Sequence, residues 1–375
     1  MKIQLHDNNK HLDFAPLTLT RPVGNLRMGI LTNDERWSLL VPNVEIFFET
    51  EGYLSEKFPQ TIDAIAVNAC VIPNRELVNE IVKLKGNEQL VLNGIWLARS
   101  GTGDIHKKYE GNEPVVIEHR WELFQKNGKV LEQDFELLTN ERTSVQLSST
   151  NTIIGDVNKI FLEKGAKVEA AILNTNDGPI YIGNNAEIME GSIVRGGLAM
   201  LDSSVLKIGA KVYGATTIGP YCKVGGEVNN VILYGYSNKG HDGFIGNSVI
   251  GEWCNIGADT NTSNLKNNYG LVKTYSFKTK HIEQTDVQFM GLVMGDHSKC
   301  GINTMFNTAT VVGVSSNVFG AEFPSKYIPS FSWGVKGDAY DFSKAVTSSN
   351  NMMFRRRMEL STDEIAILKY ISNNK

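Results

Sequence analysis

The sequence predicts an N-terminal α/β domain followed by an all-β solenoid with a terminal helix. Three observations carry this prediction. A chain of 375 residues is too long for one ordinary core, since domains average roughly 150 residues. An apolar residue recurs at every sixth position from Ile182 onwards, and residues 62–86 have the pattern of a strand followed by a helix.

The α/β domain is predicted from residues 62–86. Residues 62–71 have the composition of a short buried strand, and the residues after it have helical spacing that ends at Gly86. A strand followed by a helix is typical of α/β domains. We assign residues 1–120 to this domain and residues 121–154 to a helical linker.

The solenoid, residues 155–335, is predicted from a six-residue repeat. Such a period results when three short flat strands and their turns close a triangular coil, with the apolar residue inside and a small residue at the corner. The position two residues before most apolar members is small, as at Ser192, Thr216 and Ser298. The apolar members are Ile182, Ile188, Val194, Met200, Leu206, Val212, Ile218, Val224, Phe244, Ile250, Ile256, Met294, Cys300, Phe306, Val312 and Val318.

The repeat is interrupted twice. The interval from Val224 to Phe244 exceeds three repeats by two residues, which predicts a protruding loop at residues 229–243. A polar stretch at residues 259–286 predicts an insertion. Insertions in solenoids cluster on one face and often carry the binding site.

Composition narrows the choice of partners and compartment. With 37 Lys and Arg against 41 Asp and Glu, the net charge of −4 argues against nucleic acid or an anionic membrane as the main partner. The four cysteines form no CxxC pair, which favours a reducing cytoplasm over a disulfide framework or zinc ribbon. No segment approaches 18 consecutive apolar residues, so no membrane insertion is expected.

The C-terminal extension, residues 336–375, is predicted to end in a helix. Ser361 and Glu364 have the spacing of a capping box ahead of an apolar run. Three consecutive arginines precede it, and we interpret them as a solvated face or a subunit contact. These are Arg355, Arg356 and Arg357.

The segment GHDGFIGNSVIGEWCNIGADTNTSN, residues 240–264, resembles the acetyltransferase signature of the bifunctional GlmU family. That signature reads roughly GHxxYxGDAxIGxxxNIGAGTxxxN. The hexapeptide pattern is similar to the left-handed β-helix of hexapeptide-repeat acyltransferases. The resemblance implies a left-handed β-helix, acetyl-CoA as cosubstrate, and a homotrimer with active sites between neighbouring solenoids.

The resemblance also implies roles for individual residues. His241 falls on the catalytic base, which fits the chemistry because acyl transfer to an amine needs a group that accepts the amine proton. Asn255 falls on a position that contacts substrate or supports the base. The implied acetyl-CoA positions are Ala258, Gly301, Ile302 and Gly320. The implied substrate positions are Asn264, Lys239, Lys223 and Phe244, the last replacing a family tyrosine.

The family holds its sugar phosphate with arginine and lysine residues, and here the matching segment supplies only Lys223. The acceptor is therefore left open between an amino-sugar phosphate and a nucleotide sugar. Other cations that could replace the missing ones are Lys239, Lys266, Lys273 and Arg195.

The N-terminal domain resembles sugar nucleotidyltransferases less closely. The stretch HDNNKHLDFAPLTLTRP lacks the glycines that cradle a triphosphate, which leaves Arg21 and Arg27 as phosphate-binding candidates. Ala69-Cys70 stands where the family has its Mg²⁺-binding Gly-Asp. Either Mg²⁺ binding has moved, to Asp63 or Asp104, or uridylyl transfer is lost, and loss or altered chemistry is the preferred interpretation.

Several functional hypotheses follow. The leading one is CoA-dependent acetyl or acyl transfer to an amino-sugar phosphate or nucleotide sugar, with His241 as general base. A second is sugar-1-phosphate nucleotidyl transfer, with Mg²⁺ as cofactor and the β-helix as a trimerisation module. A third is a non-catalytic trimeric scaffold that binds nucleotide sugars. A carbonic-anhydrase-type metal site at His241, His281 and His297 is disfavoured because their spacing does not match that family.

Overall fold

The structure is a computed structural model that describes residues 1–375. Two compact units divide the chain. The first contains residues 1–27 and 31–120, and the second contains residues 28–30 and 121–375.

The first unit is built on a mixed six-stranded sheet with the order β2-β1-β3-β6-β5-β7. Its strands are β1 (Lys2–His6), β2 (Glu45–Glu49), β3 (Ile65–Asn68), β4 (Val71–Ile72), β5 (Glu88–Leu92), β6 (Ile95–Arg99), β7 (Ile105–Lys108) and β8 (Val115–Val116). Its helices are α1 (His11–Phe14), α2 (Asn33–Leu40) and α3 (Arg75–Ile81). Strand β1 pairs in parallel with β2 and β3, whereas β6 is antiparallel to both β3 and β5.

The predicted strand and helix of this unit correspond to β3, β4 and α3. The side chain of Asn74 caps α3 by accepting a hydrogen bond from the backbone N–H of Leu77 at 2.8 Å. Leu77 and Ile81 are buried along one face of the helix, as their spacing predicts. The α/β character of this unit is therefore confirmed.

The second unit is a β-solenoid whose stacked coils pair mainly in parallel register. Its strands are β9 (Thr152–Ile154), β10 (Ile160–Leu162), β11 (Lys167–Val168), β12 (Ile172–Asn174), β13 (Ile180–Ile182), β14 (Glu187–Ile188), β15 (Ile193–Arg195), β16 (Leu198–Met200), β17 (Val205–Leu206), β18 (Lys211–Tyr213), β19 (Thr216–Ile218), β20 (Lys223–Val224), β21 (Glu227–Leu233), β22 (Asn238–Lys239), β23 (Phe244–Ile250), β24 (Asn261–Thr262), β25 (Lys273–Tyr275), β26 (Ile282–Gln284), β27 (Val293–Met294), β28 (Lys299–Cys300), β29 (Met305–Phe306), β30 (Val311–Val312), β31 (Asn317–Val318), β32 (Tyr327–Ile328), β33 (Ser332–Trp333) and β34 (Asp338–Ala339).

The predicted repeat residues fill the interior of the solenoid. Every apolar member of the repeat except Phe244 belongs to its buried core. The small residues two positions earlier, such as Ser192, Thr216 and Ser298, are also fully buried. At β23 the pattern moves by one residue, so that Ile245 rather than Phe244 occupies the interior. The prediction of hexapeptide coils is confirmed.

The two predicted interruptions have different outcomes. The protruding loop at residues 229–243 is wrong, because β21 and β22 keep most of this stretch in the parallel ladder. The coil is in fact shorter than its neighbours, since Val224 pairs with Lys239, 15 residues later, whereas Leu206 pairs with Val224, 18 residues later. The polar insertion leaves the coils as an antiparallel hairpin of β25 and β26.

The segment predicted as a helical linker packs within the second unit. It contains α4 (Glu122–Gln125) and α5 (Asn127–Thr139). The side-chain N–H of Asn127 donates to the carbonyl of Ala215 on the solenoid at 2.9 Å, and its oxygen accepts from Gly29 N–H at 2.7 Å. Thr217 donates to the carbonyl of Gly29 at 2.6 Å. These bonds make the helices a side wall of the solenoid, and the first coil already begins at β9.

Two helices follow the last coil, α6 (Phe342–Phe354) and α7 (Thr362–Asn373). The predicted terminal helix is α7, and its capping box of Ser361 and Glu364 is confirmed. Helix α6 is not anticipated from the sequence, and it packs on the last coil with the rings of Phe331 and Phe342 5.9 Å apart. None of the helices combines the length and apolarity needed to cross a lipid bilayer.

Candidate functional site

A groove of about 640 Å³ lies on the side of the solenoid, with α6 forming one of its walls. It collects predicted site residues that are far apart in the sequence, namely Lys223, His241, Asn255, Ala258 and Ile302. The groove lies wholly within the second unit.

The parallel register of the coils explains how these residues meet. Residues paired between successive parallel strands project from the same face, so a position repeated from coil to coil forms a straight column. Lys223 pairs with Asn238, Asn238 with Asn255, and Asn255 with Lys299. All four side chains line the groove.

His241 lies on a short turn, residues 240–243, between β22 and β23. Its side chain is exposed, and the turn beneath it is fixed by backbone contacts. Asp259 N–H donates to the carbonyl of Asp242 at 3.0 Å. Gly243 has a left-handed φ of +106°, and a Cβ there would collide with the carbonyl of Thr260. The imidazole is thus carried on a rigid support at the edge of the groove.

Lys239 has a different place from the predicted one. It pairs with Val224 and so takes an interior position of the solenoid, where only 2% of its surface is exposed. Its ammonium donates to the carbonyl oxygen of His241 at 2.5 Å. Burial lowers the pKa of Lys239 to about 8, against the opposing effect of Asp242 and Asp259. The prediction of a direct substrate contact is therefore corrected, and Lys239 instead supports the His241 turn from behind.

The buried ammonium predicts a specific dependence of stability on pH. Because the folded pKa of Lys239 lies below its ordinary value, the unfolded chain binds more protons between about pH 8 and 10.5, and the folded state gains stability across that window. In Lys239→Met this gain is absent. The free energy of unfolding of the wild type should rise relative to the variant by about 3 kcal/mol from pH 7 to pH 10.5.

Urea unfolding of both proteins at several pH values measures this difference. The exposed lysine of β18 offers a matched control, and Lys211→Met should leave the pH dependence of the wild type unchanged. Parallel curves for the wild type and Lys239→Met would show that the lysine is not held in a desolvated site.

Besides Lys239, four further predicted residues lie outside the groove of the single chain. Asn264 donates to the side-chain oxygen of Asn247 at 2.7 Å, and the Phe244 ring lies nearby against Gly246. Gly301 N–H is used in the ladder, where it donates to Val318 at 2.8 Å. Gly320 packs against Val335, whose methyl carbon would lie 2.5 Å from an added Cβ. In the single chain these residues support the coils.

The groove contains four cationic side chains that the sequence did not predict to lie together. We call it the basic cluster: Lys207, Lys223, Arg355 and Arg356. The pKa of Lys223 is lowered first by partial burial and then by the positive charges of the other three residues. The arginine run was visible in the sequence, and Arg355 is exposed as expected of a solvated face, but the sequence did not predict that Arg355 and Arg356 line the groove. The subunit contact stays a prediction. Nothing local in the sequence shows that the end of α6 turns these side chains onto a coil more than a hundred residues earlier.

A ladder of aromatic rings forms the wall beside the basic cluster. Tyr221, Tyr236 and Trp253 stack with nearly parallel rings, with centroids 5.2 and 4.2 Å apart. Tyr236 and Trp253 line the groove. The guanidinium of Arg356 lies 5.8 Å from the centroid of the Tyr221 ring, a cation–π contact that orients this arginine.

The predicted phosphate-binding arginines of the first unit are engaged within it. Arg21 is buried with 5% of its surface exposed, and it has partners within the fold. Arg27 forms an ion pair with Glu35 at 3.4 Å. These contacts do not support direct binding of a triphosphate by either side chain, because neither guanidinium is presented as a free cation.

The residues present do not fit a Mg²⁺ site in the first unit. Cys70, which stands at the family's aspartate position, is buried, and burial raises the pKa of its thiol far above the usual range. Asp63 is exposed, and Asp104 accepts a hydrogen bond from Thr102. No three His, Cys, Asp or Glu side chains of the chain are grouped to hold a metal. His281 lies on the insertion hairpin, and His297 is buried at a coil corner.

Comparison with known proteins bears on both units. Residues 3–143 match the model of the sugar nucleotidyl transferase family. The predicted resemblance to GlmU is also confirmed. The chain is 32% identical to a bifunctional protein GlmU of Methanocaldococcus jannaschii over 118 residues, which is 32% of this chain and 28% of the relative. It is 27% identical to the Synechococcus elongatus protein over 164 residues, or 42% of this chain and 32% of the relative.

A longer alignment extends to the GlmU of Gloeobacter violaceus, which is 23% identical over 238 residues. It covers 57% of this chain and 48% of that protein. The chain therefore spans less than half the length of each of these relatives.

Two solved structures of acetyltransferases show weak similarity to half of the chain. The polySia specific acetyltransferase NeuO has a TM-score of 0.26 and 12% identity. The polysialic acid O-acetyltransferase OatWY has a TM-score of 0.19 and 15% identity. Each match covers 50% of this chain and 82% of the solved one.

Proposed function

We propose that the second unit transfers an acetyl or other acyl group from CoA to the amine of an amino-sugar phosphate or nucleotide sugar. The observation that carries this proposal is the groove that unites exposed His241 with Asn255 and the basic cluster. A base, a neutral hydrogen-bonding group and several cations in one groove suit an amine substrate that carries phosphate.

The proposed reaction needs one proton acceptor. The amine nitrogen attacks the thioester carbonyl carbon, forming a C–N bond while the C–S bond breaks. His241 takes the proton that the nitrogen loses and returns one to the departing sulfur, so the products are an amide and a free CoA thiol. Asn255 lies in the same groove, and its side-chain amide orients the substrate.

Acetyl-CoA suits the groove as cosubstrate. Ala258 and Ile302 line it and are proposed to contact the pantetheine arm, while the cations suit the phosphates of CoA or of the sugar. Ile302 leaves 70% of its surface exposed in the single chain. We propose a homotrimer, as the resemblance to GlmU implies, in which Phe244, Asn264, Gly301 and Gly320 contribute at the junction between neighbouring solenoids.

The match of residues 3–143 to the nucleotidyl transferase family favours a second candidate function, nucleotidyl transfer or nucleotide-sugar binding by the first unit. The engaged arginines and the missing metal ligand argue for binding without turnover. Pyrophosphate release from a nucleoside triphosphate and a sugar 1-phosphate, measured with and without Mg²⁺, distinguishes the two.

The acyl-transfer proposal predicts thiol release that depends on a free amine. Full-length protein is incubated with acetyl-CoA and a panel of hexosamine 1-phosphates and nucleotide amino sugars, and the free thiol is measured with a thiol-reactive dye. At least one amine should release thiol and gain one acetyl group by mass spectrometry, whereas the matching N-acetylated sugar should not. Absence of an acylated product across the panel, in a protein that binds the same sugars, would favour the scaffold hypothesis.

A further inference from the structure

The end of α6 brings arginines into the groove from a part of the chain outside the repeats. Arg355 directly follows the last residue of α6, and Arg356 is held over the Tyr221 ring. On the opposite side, Lys207 and Lys223 project from successive coils, since Val205 pairs with Lys223 and Leu206 with Val224. Two independent segments thus present their positive charges to one volume.

These charges have no carboxylate partner. Neither the two lysines nor the two arginines of the basic cluster form an ion pair within the chain, although most of the chain's acidic residues lie at the surface. Like charges that converge without a counterion repel one another, and this repulsion adds to partial burial, the larger cause, in lowering the pKa of Lys223. An anion placed among the four side chains would relieve the repulsion.

Phosphate is the anion that matches this arrangement. Arginine guanidinium groups form paired hydrogen bonds to phosphate oxygens, and lysines add charge without a fixed direction. The cation–π contact with Tyr221 limits the freedom of Arg356, so less entropy is lost on binding. A single carboxylate would leave most of the positive charge uncompensated, which favours a dianionic phosphate monoester or a diphosphate.

We propose that the basic cluster is a phosphate-binding site in which the C-terminal segment after α6 supplies arginines that the coils lining the groove do not. The site rests on the proposed function and deepens it, because it assigns the phosphate of a phosphorylated acyl-transfer substrate to the same groove as His241. That phosphate belongs either to the acceptor sugar or to CoA, and the two sources are separable by experiment.

The test is calorimetric titration of the full chain with inorganic pyrophosphate, glucosamine 1-phosphate, glucosamine, CoA and dephospho-CoA. Pyrophosphate should bind to the wild type, and the double variant Arg355→Gln/Arg356→Gln should bind it at least about tenfold more weakly. Arg357→Gln is the matched control, because Arg357 belongs to the same run but does not line the groove. It should retain the affinity of the wild type.

The other titrations identify the source of the phosphate. If the acceptor supplies it, glucosamine 1-phosphate should lose affinity in the double variant while glucosamine does not. If CoA supplies it, the difference between CoA and dephospho-CoA should shrink in the double variant. Lys207→Gln/Lys223→Gln should act in the same direction from the coil side, which guards against misfolding of the C-terminal segment.

Equal pyrophosphate affinity in the wild type, both double variants and Arg357→Gln would overturn the site. Its failure is separable from that of the proposed function, because thiol release from acetyl-CoA measures acyl transfer and pyrophosphate binding does not. A protein that acylates amines yet binds pyrophosphate equally in every variant would retain the function and lose the site.

Discussion

Replacing His241 with glutamine is expected to lower the kcat of acyl transfer by a factor of about 10²–10⁴. Glutamine keeps much of the size and hydrogen-bonding capacity of histidine but cannot accept the amine proton. Since the side chain is exposed and the turn is held by backbone contacts, the substitution should leave the fold intact. Initial rates of thiol release and acetylated product give kcat and KM separately.

The change should fall mainly on kcat, because His241 acts on a proton that moves only during the reaction. His281→Gln is the matched control, since His281 lies on the insertion hairpin outside the groove and its replacement should retain the wild-type rate. Undiminished turnover in His241→Gln would exclude this residue as the base. Another group in the groove would then have to accept the amine proton.

Replacing Gly219 with alanine is expected to destabilise the second unit by more than about 4 kcal/mol or to prevent its folding. The space that a Cβ would need at this position is already filled by the backbone carbonyl of Tyr234 on the next coil. The clash cannot be relieved by a side-chain rotation. The coils would have to separate where Gly219 N–H donates to Leu233 at 2.8 Å.

Gly240→Ala is the corresponding control, because a Cβ there meets nothing within 4 Å. Its unfolding free energy should stay within about 1 kcal/mol of the wild type. Soluble yield and urea unfolding, read by circular dichroism, compare the two variants. Similar stability of both would mean that the coils can separate at little energetic cost.

The solenoid could be predicted from the sequence because its narrow interior accepts one apolar side chain from each face of a coil. That constraint repeats along the chain and leaves a period in the sequence, as at Val194, Met200 and Leu206. The period fails at Phe244, because the preceding coil, in which Val224 pairs with Lys239, is shorter than the coils before it. An adjustment of that kind depends on how two coils fit together and has no local pattern.

The groove was predictable only in part, because some of its residues are brought there by packing between distant segments, which leaves no local pattern in the sequence. His241 and Asn255 belong to one contiguous motif, and the coil register carries Lys223 to them. Lys239 was misplaced because a lysine ordinarily lies at the surface, whereas here its ammonium finds a carbonyl oxygen inside the solenoid. Arg355 and Arg356 were missed because the packing of α6 on the last coil determines where they point.

The order of the groove residues along the chain has a consequence for folding during protein synthesis. Its wall is drawn from residues 207–258, then residues 299–302, and finally residues 351–356 at the end of α6. A ribosome delivers these segments in that order, and coils of a solenoid can stack as they emerge. The His241 turn is therefore made well before the arginines that face it. A nascent chain with most of its coils folded still lacks the positive wall of the groove, which is completed only after the last coil has been covered.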